Sequence, residues 1–423
     1  MRLDAELMGR IAADEGLWRD FNDICDCGGR LAGTESEKRA FTLLRERVRA
    51  ASPANVGRSI PVNYGGWKAR RATLKLAGGM APCHPLVRTI ATSEVGLTAE
   101  VIDIGRGTPE EFTSHAPEIA GRIVLVRHEL MFAAGTIHRR RKYDMARAHG
   151  AVGFLIAGPL SGHVVAGSSG REGGDGIPAL GISPETAARL RRRADGYPTA
   201  TLTIETDEAP AETETLVYDY PGQTDEWVVL SAHVDGHDLA ESAMDNGTGL
   251  ASVLAVARAL APEVKKFRRG IRVMFFSVEE WALTGSAQYV KSLSEAEKSK
   301  IALNVNLDSV AGSPHLAALT SEFGGVEPFV LSVADANGQS LRTVRPLMTN
   351  SDHANFAAGG IPAIRLVAGF DDPTAHLRVV LTPADTRDKV AQSELRQATL
   401  LTAALVAAAC NASPAEAAVW RVR

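Results

Sequence analysis

Short apolar runs separated by polar turns divide the chain into two kinds of region. After about residue 216, apolar runs rich in β-branched residues alternate with longer segments whose apolar residues recur at helical spacing. The runs are "EWVVLSAHVD", "GIRVMFFSVEE", "IALNVNLDSV" and "IPAIRLV". Strands that are apolar on both faces are typical of parallel sheets covered by helices. This region therefore predicts an α/β domain with a mostly parallel central sheet.

The middle of the chain, from about residue 94 to residue 205, has shorter predicted strands. They are "AEVIDIG", "GRIVLVRHE", "AVGFLIAG" and "TATLTIET", with a helix in "RKYDMARAHG" and a glycine-rich loop in "AGSSGREGGDG". Residues 28–50 predict a loop and a helix capped near Thr34, which we assign to the larger sheet. We therefore predict that residues 1–92 and 207–423 form the main domain, and that residues 93–206 form a small inserted α/β domain.

Composition and charge narrow the function classes. Hydrophobic residues make up 45% of the chain, which is typical of a globular protein. The formal net charge of -4 gives no general electrostatic attraction to nucleic acid or to acidic lipid. Basic runs at residues 138–142 and 191–193 lack interleaved aromatic residues and predict solvated helix faces. The apolar tract "TLLTAALVAAAC" is shorter than the roughly 20 residues of a membrane span, so it predicts a buried helix. We expect no membrane or nucleic-acid partner.

The N-terminus and the cysteines bear on the compartment. The opening residues predict an amphipathic helix interrupted by acids, without the apolar core of a secretory signal. Four scattered cysteines predict free thiols rather than a disulfide framework. The expected location is therefore cytoplasmic.

Residues with metal-ligand chemistry follow three consecutive predicted strands. They are His233, Asp235, Asp245, Glu279, Glu280 and Asp308. Because ligands of open α/β sheets bind beyond the carboxyl ends of the strands, these side chains should converge. One imidazole among several carboxylates suits zinc, with manganese or cobalt as alternatives.

The spacing within this set predicts roles. Residues i and i+2 of a strand share a face, so we expect Asp235 to accept the second ring proton of His233. Glu279 and Glu280 are adjacent and point in different directions, so one can bind metal while the other takes a proton from water. Each pair alone is common at strand ends and turns. Together they predict a metal-dependent hydrolase.

Several segments resemble a known family. "SAHVDGHDLAESAMDNGTG", "FFSVEEWALTGSAQYV", "NVNLDSV", "SDHANFAAGGIPAIRL" and "GGRLAGTESEKRAF" resemble motifs of the zinc-dependent aminopeptidases and carboxypeptidase Q-like peptidases. "GRIVLVRHELMFAAGTIHRRRKYDMARAHGAVGFLIAG" and "GIPALGISPETAARL" resemble a protease-associated (PA) domain. The resemblance covers most of the chain. It implies a three-layer α/β fold of the phosphorylase/hydrolase-like type with an inserted PA domain.

The same resemblance implies a site for one or two zinc ions. Asp245 would bridge both metals, His233 and Asp308 would complete one, and Glu280 would serve the other. Glu279 would be the general base. The implied enzyme is a zinc exopeptidase of aminopeptidase or dipeptidase type that acts on a small peptide or amide.

The sequence departs from the family at one ligand of the second metal. A histidine normally lies four residues before the aspartate of an Asp–Thr motif, and here Leu381 holds that position before Asp385. His376, five residues earlier, could supply the nitrogen; alternatively, the second metal is weak or absent, or the site is degenerate. His237 and His353 lie inside motifs and are expected to line the pocket.

Two other functions stay open at this point. One is an amidohydrolase that acts on N-acyl amino acids or other small amides. The other is a catalytically silent binding protein with a degenerate metal site, for which Leu381 is the motivating feature. The sequence does not choose between the amino and the carboxy end of a substrate, and it is compatible with a homo-oligomer.

Overall fold

A computed structural model describes residues 3–171, 173–191 and 195–423. The strands are β1 (Arg58–Leu76), β2 (Gly79–Ala81), β3 (Cys83–Pro85), β4 (Leu97–Asp103), β5 (Ile123–Arg127), β6 (Gly153–Ala157), β7 (Ala179–Ile182), β8 (Thr199–Tyr220), β9 (Trp227–His233), β10 (Gly270–Phe276), β11 (Ile301–Leu307), β12 (Leu316–Leu319), β13 (Leu341–Val344) and β14 (Ala363–Ala368). The helices are α1 (Ala5–Ala12), α2 (Gly16–Asp26), α3 (Glu35–Ala51), α4 (Pro109–Ser114), α5 (Ala116–Ile119), α6 (Arg139–Ala148), α7 (Pro184–Arg189), α8 (Thr248–Leu260), α9 (Thr284–Ser292), α10 (Glu295–Lys300), α11 (Glu327–Ala336), α12 (His353–Ala358), α13 (Gln392–Asn411) and α14 (Pro414–Val419).

The main sheet has the strand order β13-β12-β14-β11-β9-β10-β8. Neighbours from β10 through β9 and β11 to β14 are parallel, whereas β8 and β12 join antiparallel. Every residue of β11 and of β14 is buried, because helices cover the sheet. Helix α8 packs on α13 and α9 packs on α12. The predicted α/β fold with a mostly parallel central sheet is confirmed.

The inserted region forms a smaller sheet of its own. Strands β4, β5, β6 and β7 are parallel neighbours, and β3 adds antiparallel to β7. All residues of β6 and β7 are buried, which gives this region a separate core. The α/β insertion predicted from the short apolar strands is thus present.

A long two-stranded ribbon joins the two sheets. Strand β8 pairs with β4 near its start, with β1 along most of its length and with β10 near its end. It runs without interruption through the predicted boundary between residues 206 and 207. Sequence patterns predicted only the first third of β8 and missed β1, because much of the ribbon is exposed and lacks the apolar alternation of a half-buried strand.

Several smaller predictions can be compared with the structure. Helix α3 begins after Thr34, whose hydroxyl accepts a hydrogen bond from the Glu37 amide. Helix α13 contains the apolar tract ending at Cys410 and is largely buried. All four cysteines are free thiols. Among the described residues, no helix has the length and apolar character needed to cross a membrane.

The basic runs differ from expectation. In the first run, Arg139 and Lys142 are buried rather than solvated, since the start of α6 faces the interior of the molecule. Lys142 is paired with Glu129 at 2.6 Å. In the second run Arg191 is exposed, whereas Arg192 and Arg193 lie outside the described residues.

Candidate active site

Three of the predicted ligands meet at the carboxyl ends of β9 and β11. Ligand atoms of His233, Asp245 and Asp308 all lie within 4.8 Å of one another. Nε2 of His233 is 3.1 Å from Asp245 Oδ1 and 3.7 Å from Asp308 Oδ1. All three side chains are buried. The structure therefore brings together the imidazole and two carboxylates that the sequence singled out.

The loop that carries Asp245 is fixed from two sides. On one side, the buried guanidinium of Arg30 donates to the carbonyls of Val234, Glu241 and Ser242 at 2.7–2.8 Å. These bonds hold the path from the end of β9 to the loop. A charged donor that is satisfied by carbonyl groups makes the turn rigid without adding a competing carboxylate.

On the other side, Asp385 binds the backbone next to the ligand. Its carboxylate accepts hydrogen bonds from the amides of Met244 at 2.8 Å and Asp245 at 3.3 Å. Burial raises the pKa of Asp385 to about 7, and the two amide donors oppose that shift. The aspartate of the Asp–Thr motif thus positions Asp245.

The predicted contact between His233 and Asp235 takes a different form. Nδ1 of His233 is 2.8 Å from the backbone oxygen of Asp235, whereas the nearer carboxylate oxygen is 3.9 Å away. Strand β9 ends at His233, so the i, i+2 alternation on which the prediction rested does not extend to Asp235. The Asp235 carboxylate instead accepts hydrogen bonds from the amides of Glu279 and Glu280 at 3.0 and 3.1 Å. It positions both glutamates.

Glu279 and Glu280 border the same cavity as Asp245 and Asp308. They follow Val278, whose positive φ of 59° marks a tight turn after β10. A β-branched residue in this region of φ/ψ space is uncommon and occurs mostly at functional sites. Burial raises the pKa of both glutamates well above the usual range, and their carboxylate neighbours add to the rise. Such a shift suits a carboxylate that must exchange a proton near neutral pH.

The donor set fits a metal ion. Nε2 of His233 and Oε1 of Glu280 are buried and have no hydrogen-bond partner among the described residues. Burial alone would lower the pKa of His233, yet the surrounding carboxylates raise it well above the usual value. The cluster therefore holds excess negative charge, which a divalent cation would balance. One imidazole with carboxylates is the ligand chemistry of catalytic zinc.

A buried arginine takes up part of that negative charge. Nη2 of Arg365 lies 3.0 Å from Asp308 Oδ2, and both side chains are buried. Its Nη1 donates to the carbonyl of Asn350. Arg365 lowers the pKa of Asp308 well below the usual range, against the effect of burial. Asp308 is therefore ionised and available as a ligand.

The structure does not bring His376 to the cluster. This residue is exposed, and its Nδ1 lies 2.7 Å from the carbonyl oxygen of Lys389. Leu381 instead borders the cavity, is buried, and accepts a hydrogen bond from the Ala166 amide at 2.7 Å. His376 is thus not part of the group formed by His233, Asp245 and Asp308, and its replacement of the missing nitrogen stays a prediction.

The remaining histidines also differ from prediction. His237 and His353 are fully buried, and neither borders the cavity. Burial lowers the pKa of His237 to about 4 and that of His353 to about 3. Both rings are therefore neutral near pH 7.

Sequence reasoning missed three arginines that shape the site. Arg30 and Arg365 hold the ligand loops, and Arg139 of the inserted domain borders the cavity. A signal existed for one of them, because Arg365 interrupts the apolar run "IPAIRLV". A charged residue inside an otherwise apolar strand needs a buried partner.

A mostly parallel sheet that gathers one imidazole and several carboxylates at its strand ends, beside a glutamate of raised pKa, defines the class of metallohydrolases. The family model described as Peptidase family M28 matches residues 215–406, and the PA domain model matches residues 85–190. These matches show that residues 215–406 are similar to peptidase family M28 and that residues 85–190 are similar to a PA domain.

Individual proteins are similar to this chain over most of its length. Aminopeptidase YwaD of Bacillus subtilis is 28% identical over 393 residues, which span 89% of this chain and 81% of that protein. A solved zinc aminopeptidase of Bacillus subtilis, BSAP, has a TM-score of 0.73 at 24% identity and covers 93% of this chain and 94% of its own. The Peptidase M28 precursor of Shewanella amazonensis has a TM-score of 0.79 at 22% identity, with 96% of each chain covered. Both solved structures have the same fold as this chain.

Proposed function

We propose that the protein is a zinc-dependent exopeptidase that hydrolyses small peptides. The observation that carries this proposal is the convergence of His233, Asp245 and Asp308 beside Glu279 in one cavity. A cavity of about 550 Å³ suits a ligand of a few residues. The printed names of the relatives, which are aminopeptidases, support the same reaction class.

His233, Asp245 and Asp308 would hold the ion, and Glu280 would supply a further oxygen. Zinc held by these residues would supply Lewis acidity, which would lower the pKa of water and polarise the scissile carbonyl. Glu279 takes the proton from the attacking water and delivers it to the leaving amine, as its raised pKa suits.

Asp235 keeps that base in place. Its carboxylate accepts hydrogen bonds from the amides of Glu279 and Glu280, which ties the backbone of both glutamates to the segment after β9. Arg365 keeps Asp308 ionised as a ligand. The chain thus supplies a general base, metal ligands, and the residues Asp235 and Arg365 that hold the base and one ligand in place.

Neither alternative is favoured. An amidohydrolase would use the same residues on a different substrate, and the peptidase family match points to peptides. A silent binding protein has no need for Glu279, whose amide is bonded to Asp235, next to an intact ligand triad. Leu381 alters the second metal position and leaves that triad and the base unchanged.

Replacement of Glu279 by Gln tests the proposal. We expect kcat to fall by a factor of about 10² to 10⁴, the usual contribution of a general base. Zinc content by mass spectrometry should stay equal to that of the wild type, because the triad is untouched. Glu295→Gln, at a side chain that is 89% exposed, is the matched control and should change neither value. Undiminished turnover in Glu279→Gln would refute the assigned role.

Location and partners are part of the proposal. We infer a cytoplasmic protein, supported by four free cysteines in a chain that has no disulfide among its described residues. A small peptide is the proposed substrate, without nucleic-acid or membrane partners, in line with the net charge of -4. Cell fractionation tests the location, and recovery in a secreted fraction would contradict it.

A further inference from the structure

We propose that Phe132 of the inserted domain is a positioning residue for the metal site. Its ring covers the guanidinium of Arg365, and Arg365 holds the predicted ligand Asp308, so the inserted domain sets how tightly the main domain binds zinc. This inference rests on the proposed zinc-dependent function. It adds a role for the inserted domain in that function.

Phe132 lies in the loop that joins β5 to α6 of the inserted domain. Its side chain is only 3% exposed, although loops of this kind usually run over the surface of a domain. It borders the same cavity as Glu279 and Asp308. The inserted domain thus places a buried aromatic ring at the edge of the candidate active site.

The ring of Phe132 contacts a buried cation of the main domain. Cζ of Arg365 lies 5.0 Å from the centroid of the ring. Arg365 is 1% exposed, and its Nε has no hydrogen-bond partner among the described residues. A cation within about 6 Å of an aromatic face is attracted to it, and the attraction is stronger where water is excluded. Phe132 therefore stabilises a guanidinium that solvent does not reach.

The same guanidinium holds a predicted metal ligand. Nη2 of Arg365 lies 3.0 Å from Oδ2 of Asp308, whereas Oδ1 of Asp308 lies 3.7 Å from Nε2 of His233. Arginine thus engages one carboxylate oxygen, and the other lies toward the ligand group. Partners that orient a ligating side chain commonly change metal affinity by about 10-fold to 100-fold when they are lost. A ring that fixes Arg365 therefore also fixes the orientation of Asp308.

Asp371 ties the Phe132 loop to the main domain. The Asp371 amide donates to the Phe132 carbonyl at 2.7 Å, and its carboxylate accepts a hydrogen bond from the Ala134 amide at 2.7 Å. Asp371 has a φ of +60°, a conformation that is uncommon outside glycine but that aspartate adopts more readily than most residues. Two hydrogen bonds thus hold the loop in place, and the Phe132 ring stays over Arg365.

The chain offers a matched contact that is not linked to the metal site. Cζ of Arg423 also lies 5.0 Å from the centroid of a phenylalanine ring, that of Phe323. Phe323 is 1% exposed, and neither residue of this pair borders the cavity. Loss of the Phe323 ring therefore reports what removing an arginine–ring contact does to stability alone.

The test measures the zinc Kd of the metal-free protein by competition with a chromogenic chelator. Phe132→Leu keeps an apolar side chain and removes the ring, so we expect the Kd to rise by about 5-fold to 30-fold, the range of a shielded cation–π contact. Phe132→Tyr keeps the ring and should stay within about 2-fold of the wild type. Phe323→Leu should bind zinc like the wild type. Urea unfolding of each metal-free variant checks that it is folded.

The outcomes separate this inference from the proposed function. An unchanged zinc Kd in Phe132→Leu, or an equal rise in Phe132→Tyr, overturns the role of the Phe132 ring and leaves the exopeptidase function standing. A wild type that binds no zinc contradicts both proposals. A wild type that binds zinc and cleaves no peptide contradicts only the exopeptidase function.

A second variant decides if Phe132→Leu does not fold. Asp371→Gly suits the positive φ and removes the carboxylate that holds Ala134. It should raise the zinc Kd by about 3-fold or more, because one hydrogen bond no longer holds the loop. Arg342→Met removes the other partner of the Asp371 carboxylate and should leave the Kd unchanged. An unchanged Kd in Asp371→Gly overturns the proposal.

Discussion

Leu381→His should create a second tight zinc site. Leu381 is buried, borders the cavity, and occupies the position from which the Asp–Thr loop would offer a nitrogen beside Asp245 and Glu280. The wild type retains one ligand triad, so we expect about one tightly bound zinc per chain. The variant should hold two, because the second position then has an imidazole and two carboxylates.

The difference in stability between Leu381→His and the wild type should depend on whether zinc is present. Removing a fully buried leucine side chain costs about 1.5–3 kcal/mol of burial free energy, only part of which an imidazole restores. The backbone cost is small, since Leu381 has a φ of +63° and histidine adopts that region more readily than leucine. A new site at 100 times its Kd would add about 2.7 kcal/mol. The variant should therefore unfold at lower urea than the wild type in EDTA and at equal or higher urea in zinc.

Metal content by mass spectrometry, zinc titration calorimetry and urea unfolding measure these effects. Leu377→His is the matched control: Leu377 is equally buried in the same loop but does not border the cavity, so this variant should lose stability without gaining zinc. His376→Ala should keep the zinc content of the wild type. Two tightly bound zinc ions in the wild type, or no added zinc in Leu381→His, would refute the reasoning.

Two further predictions concern buried charges. Arg365→Met should lower the free energy of unfolding in EDTA by about 3–5 kcal/mol, because it leaves Asp308 as an uncompensated buried charge. The loss should be smaller in zinc. The control Arg342→Met removes one partner of an exposed pair with Asp371 and should lower the free energy of unfolding by less than about 1 kcal/mol. Equal losses in urea unfolding would contradict this difference. His138→Asn should make stability less sensitive to acid. Burial lowers the pKa of His138 to about 3, with Arg139 adding to the effect, so the unfolded chain binds a proton below about pH 6.5 that the folded protein does not. Stability from this group is present above that pH and is lost as pH falls toward 3, and the variant should remove up to about 1.4 kcal/mol per pH unit from the slope. An unchanged slope between pH 4 and 6 would show that His138 titrates normally.

The ligand cluster could be predicted because it depends on local order. His233 ends β9 and Asp308 directly follows β11, and the alternation of apolar strands with helices is enough to place both at one sheet edge. Glu279 follows from the same pattern one strand away. The sequence therefore predicted both the fold class and the residues around which the site is built.

The rest depends on contacts between distant segments. His376 lies in the loop after β14. The Leu381 carbonyl of this loop accepts a hydrogen bond from the Ala166 amide of the inserted domain. Arg139 lies at the start of α6, whose sequence predicts a solvated basic face. The sequence of this helix does not show that its first turn is buried. The carboxylate of Asp235 binds amides 44 and 45 residues away in the chain. None of these contacts has a signature in local sequence.

The β1–β8 ribbon joins the main sheet to the inserted domain, and residues of both border the cavity. Asn63 pairs with Glu212 and Tyr64 with Ala211 in a ladder that runs from one sheet to the other. Deleting two paired residues from each strand would draw the inserted domain along the ribbon by about 7 Å, whereas deleting one would also reverse which faces point inward. The length of the ribbon thus sets how far the inserted domain reaches along the main domain. In a related chain, that length should indicate whether the inserted domain borders the cavity that holds the catalytic glutamate.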